Sequence, residues 1–166
     1  MMGRQLLTCT FAFCGMCEMA QWGRWNSFGM LWCWAQFHPD PNFTLALGAS
    51  QKSGEYNPGN KVWIDVDGVR HIFPPKLARA EYTDFVPSDV PLHKYPRHAK
   101  FTSENDEGLA IVVQWEVLRS PSISKSAVVV FEQVSTVDVL LTNKKTGATR
   151  TWRGTGYTEW TDHLLL

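Results

Sequence analysis

The stretch that most constrains how this chain folds is residues 61–73, where two alternating apolar runs flank Asp67-Gly68. An Asp-Gly pair tolerates the positive φ values of a type I′ turn, so it predicts a two-residue β-hairpin. The implied register pairs Val66 with Val69, Asp65 with Arg70, Ile64 with His71 and Trp63 with Ile72. Asp65 and Arg70 then stand directly across the ladder with opposite charges, which supports that register. One face collects Val62, Ile64, Val66, Val69, His71 and Phe73. Asp65-x-Asp67-Gly68 also resembles the opening of a calcium-binding loop, but the later ligands of such a loop are missing and no metal is expected.

Further runs carry the same period. Residues 44–49 open a first strand, and residues 51–60, with Gly54, Pro58 and Gly59, read as a loop. In residues 109–118, Ile111, Val113, Trp115 and Val117 point one way while Gln114 and Glu116 point the other. After the break at Ser120-Pro121-Ser122, residues 127–134 and 136–142 read as two β-branched strands. Residues 143–147 form a hairpin loop, 148–153 the returning strand and 157–160 another. Six to seven strands with few helical segments between them predict a mainly β fold, an antiparallel β-sandwich or barrel. Residues 74–100 hold five of the nine prolines and predict a long irregular connection with a short helical turn at 77–82.

The chain is 166 residues long, which suits one domain with an adequate core. Its formal net charge is zero; residues 1–38 carry Arg4, Arg24 and Glu18 (2 − 1 = +1), leaving −1 for the remainder. Neither part has the basic field of a nucleic-acid binder, so no nucleic-acid partner is expected.

All four cysteines lie in the first 33 residues and all five methionines in the first 30. This asymmetry divides the sequence near His38 into an apolar leader, 1–38, and a β-rich domain, 39–166. Residues 5–17, following Arg4, have the basic start and short apolar core of a signal peptide. If they act as one, the protein is secreted or displayed on a cell surface; otherwise it is cytoplasmic, and Met30 is an alternative start. Glu18 and Arg24 interrupt the leader before about 18 apolar residues accumulate, which argues against a spanning helix. Trp22, Trp25, Phe28 and Trp32 recur at helical spacing, a stripe suited to a membrane interface or to packing on the body.

Cys9-x4-Cys14-x2-Cys17 resembles the cluster loop of plant-type ferredoxins, which implies thiolate ligation of a [2Fe–2S] centre. The resemblance covers nine residues. Phe11 and Phe13 stand where that family has small polar residues, and Cys33 follows sooner than its fourth ligand does. Cys14 and Cys17 with Cys33 and His38 form an alternative zinc set. Weighed together, these departures lead to the expectation of no cofactor.

Two basic clusters are the candidate binding residues. His93, Lys94, Tyr95, Arg97, His98 and Lys100 could engage a phosphate, a sulfated sugar or an acidic head group. Lys144, Lys145, Arg150 and Trp152, beside Arg153, form the second. Brought together, they would make one anion-binding face. Residues 39–166 contain no cysteine nucleophile, no G-x-S-x-G elbow and no phosphate-binding P-loop, and Asp162-His163 has no identifiable serine partner. The expectation is a non-enzymatic binding or structural protein whose loops recognise a protein or carbohydrate. The alternatives are a membrane-active secreted protein of the cytolysin or lipid-binding lectin type, and a virion or tail component assembling as a homo-oligomer. Asn42-Phe43-Thr44 is a glycosylation sequon if the chain is exported from a eukaryotic cell.

Overall fold

The computed structural model describes residues 32–50, 60–122 and 128–163, all within the unit Leu31–Leu166. Cys9, Cys14, Cys17, Trp22, Trp25 and Phe28 lie outside the described residues. Nine antiparallel strands follow in order: β1 Trp32–Asp40, β2 Phe43–Ser50, β3 Lys61–Val66, β4 Val69–Phe73, β5 Arg79–Pro87, β6 Lys94–Glu104, β7 Leu109–Arg119, β8 Val128–Asn143 and β9 Thr149–His163. A single 3-10 turn, Pro75–Leu77, separates β4 from β5. The first strand runs through His38, so the sheet takes up the end of the apolar leader.

The strands form one sheet in the order β4-β3-β2-β1-β9-β8-β7-β6-β5. Its edges, β4 and β5, are consecutive in sequence. Laid flat, nine strands would separate those edges by roughly 38 Å. The link from Phe73 to Arg79 spans at most about 21 Å. The sheet therefore curls, and it does so into a half-barrel. Its concave face holds Phe37, Phe43, Phe73, Phe101 and Phe131, each buried to within 1 % of completely.

The Asp67-Gly68 hairpin has the register read from sequence, Val66 opposite Val69 through Trp63 opposite Ile72. The predicted alternation of β7 also holds, with Ile111, Val113, Trp115 and Val117 buried. Three expectations need correction. The strands number nine in one sheet rather than six or seven in a sandwich, because β1 pairs with both β2 and β9 and joins the two halves. The irregular connection expected over residues 74–100 is instead the 3-10 turn, β5 and the start of β6. Its prolines sit where no ladder donor is needed: Pro96 precedes His98, the first β6 residue paired to β7, and Pro87 ends β5.

The third correction is continuity. The segments 127–134 and 136–142 form the single strand β8, and 148–153 and 157–160 the single strand β9. Ser135 does not break β8, because its buried hydroxyl bonds to that of Thr158 at 2.7 Å. Gly154 and Gly156 admit a close neighbour rather than a turn. A Cβ at Gly156 would lie 2.7 Å from Val137 Cγ2 and 2.9 Å from the Gln36 carbonyl oxygen.

Candidate interaction surface on the outer face

Because side chains alternate, the residues between the core positions of β5 to β9 share the convex face. The register aligns them in rows. Glu81, Lys100, Gln114, Asp138 and Arg153 are successive neighbours across five strands. Thr83, His98, Glu116, Thr136 and Thr155 form the adjacent row. All of these except Thr155 line a groove of about 410 Å³. Charge alternates along the first row, so neighbours attract rather than repel.

The groove's charges are largely matched. Arg97 approaches Glu116 at 3.4 Å, and Arg153 approaches Asp138 at 3.4 Å. His98 stands between two carboxylates, Asp84 at 3.5 Å and Glu116 at 3.8 Å. Among the described residues no three histidine, cysteine or carboxylate side chains gather where they could hold a metal ion. The surface presents both charge signs in a fixed order set by the strand registers.

The predicted binding residues separate into three environments. Arg97, His98 and Lys100 meet at the groove and are joined there by Arg153. His93 is 4 % exposed and turns inward, its Nδ1 lying 3.2 Å from Asp162 Oδ2. Tyr95 packs on Phe131, and Lys94 holds its ammonium 5.3 Å from the Phe85 ring centroid. The second cluster lies at the other end of β6. Lys144 pairs with Glu104, ten residues from Lys94 and four from Lys100, roughly 33 and 13 Å along the strand. Lys145 lies along Gly108. Arg150 bonds Asp67 at 2.5 Å and stacks over Trp152, which in turn stacks on Phe43. The two basic clusters meet only through Arg153, which reaches the groove, while Lys144, Lys145 and Arg150 do not line it. Trp32 belongs to β1.

The two acids of the Asp67-Gly68 hairpin are engaged by arginines. The Arg70 guanidinium bonds both oxygens of Asp65 at 2.9 Å and lowers its pKa. The hydrogen bond from Arg150 likewise lowers that of Asp67. Asp162, the acid of the Asp162-His163 pair, accepts from the Lys94 N–H at 3.0 Å and contacts His93.

Sequence reasoning missed Glu81, Thr83, Thr136 and Asp138 as groove residues. The alternation of β7 did place Gln114 and Glu116 opposite the core, but only the pairing of strands shows which side chains they neighbour. No family model, curated protein or solved structure matched the chain in comparisons with known proteins.

Proposed function

We propose that this chain is a non-enzymatic interaction protein that docks a partner protein on the outer face of β5 to β9. The observation that carries this reading is the two-row polar groove, whose opposite charges are ordered along one row. The aromatic side chains packed into the concave face favour an outer rather than an interior site. Trp115, the one aromatic residue lining the groove, is only 5 % exposed, so it offers no ring for a pyranose to stack on; this favours a protein over a carbohydrate.

The test uses the full-length chain with a photo-crosslinking side chain at Thr136, and at the exposed Val69 of the β3–β4 hairpin as a control, in cells of its native source. The reading expects a discrete protein adduct from position 136 that weakens with added salt and is lost in Lys100→Glu. Equal labelling from both positions would overturn it. So would turnover of ester, phosphate or glycoside substrates by the purified chain.

A further inference from the structure

The β5–β6 hairpin turns through Val90-Pro91-Leu92-His93. The His93 N–H donates to the Val90 carbonyl at 3.2 Å, and Leu92 has a φ of 71°. Proline holds φ negative at the second position, so this is a type II turn. The third position of that turn suits glycine or asparagine, because the Cβ of a bulkier L-residue crowds the backbone there. Leucine is strained in it.

Burial does not compensate for the strain. Leu92 is 85 % exposed, more than any other large hydrophobic among the described residues. Its surroundings are firmly held. Ser88 N–H donates to the His93 carbonyl at 3.0 Å, and Val90 N–H to Ser88 Oγ at 3.0 Å. Asp162 accepts the Lys94 N–H, and Val90 packs against the core. A strained apolar side chain is thus displayed to water on a fixed base, where it benefits neither folding nor solubility. Phe85, 44 % exposed on the same hairpin, adds a second apolar surface.

We propose that Leu92 is the apolar anchor of the interface whose polar part is the groove, and that it enters an apolar pocket on the same partner protein. This rests on the reading of the groove given above. Leu92 lies six residues from His98 and eight from Lys100, at most roughly 20 and 26 Å along the chain. An interface of about 800 Å² per partner is roughly 30 Å across and can hold both. An apolar anchor beside a polar rim is the arrangement in which a few residues dominate binding. Holding the anchor in place before contact lowers the cost of ordering it. A lipid bilayer is the weaker occupant. Asp84, Asp89 and Asp162 stand on or beside this hairpin with Lys94, so it lacks the cationic field that anchors weakly inserting surfaces to anionic membranes.

The experiment places a benzophenone amino acid at position 92 of the full-length chain in cells of its native source. The crosslinked protein is identified, purified and titrated calorimetrically against the wild type, Leu92→Asn and Lys100→Glu. Leu92→Asn is expected to weaken binding about tenfold or more. It is also expected to raise Tm by about 2 °C, since asparagine tolerates the left-handed conformation. Undiminished binding by Leu92→Asn, or a lowered Tm, would overturn the anchor. Adducts formed with lipid alone, or no discrete adduct, would also overturn it. The two readings fail separately: unchanged affinity in Lys100→Glu removes the groove, and unchanged affinity in Leu92→Asn removes the anchor.

Discussion

The hairpins β3–β4 and β5–β6 both turn through a non-glycine residue with positive φ, Asp67 at 53° and Leu92 at 71°. In the first, the residue types suit the backbone: aspartate tolerates the left-handed region, and Gly68 follows at a φ of 81°. In the second, leucine occupies the position a glycine would fill, and distant contacts hold the turn. Asp162 of β9 reaches 69 residues back to His93. The first turn is specified by adjacent residues and the second by tertiary structure, and the second is where an apolar side chain is spent on exposure.

This contrast can be broken in graded steps. The largest effect is expected from Ile64→Ala, which empties a fully buried site beneath the β3–β4 hairpin. Chemical denaturation should show a loss of about 3 kcal/mol. Next comes Asp162→Ala, which leaves His93 and the Lys94 N–H without their acceptor. A cost of about 2 kcal/mol is expected. Hydrogen exchange should accelerate over residues 88–95 and stay unchanged at the β3–β4 hairpin; acceleration at both would show that the two turns are not independent.

Gly68→Ala probes the locally specified turn. A Cβ there meets no atom within 4 Å, so only the backbone conformation penalises it. The expected loss is about 1 kcal/mol, read from the denaturation midpoint. The smallest effect is on pH dependence. Burial lowers the pKa of His38, so its folded form resists a proton that the unfolded chain accepts. Stability should therefore begin to fall as pH drops below the ordinary histidine value of about 6.5. The residue is exposed overall, so the slope is shallow, and His38→Gln should flatten it. Asp65 and Asp67 have lowered pKa values, so their contribution is present above the usual carboxylate range and is lost as pH falls through their folded values.

What was legible in the sequence followed from neighbours in the chain. The Asp67-Gly68 register and the two faces of β7 depend only on turn chemistry and period-two alternation. The prolines of β5 and β6 hid two strands, because proline counts against a strand until it is known which ladder donors face a partner. Glycine misled in β9 for a related reason: Gly156 marks the approach of β1 and Val137, a contact invisible from its neighbours. The groove was half visible, since Lys100 and Arg153 were both noted as cations. Their place in one row depends on three successive strand registers.

By itself, then, the sequence determined a mainly β chain, one hairpin to the residue and the inward face of β7. These are short-range consequences of sterics and alternation. Only the tertiary structure decided that nine strands share one sheet and that its edges are drawn together by a short link. It also decided that four of the predicted cations gather at the groove while Lys144, Lys145 and Arg150 lie outside it. Strand partners distant in sequence leave no periodic mark along the chain, because each pairing is selected by the burial of a common core.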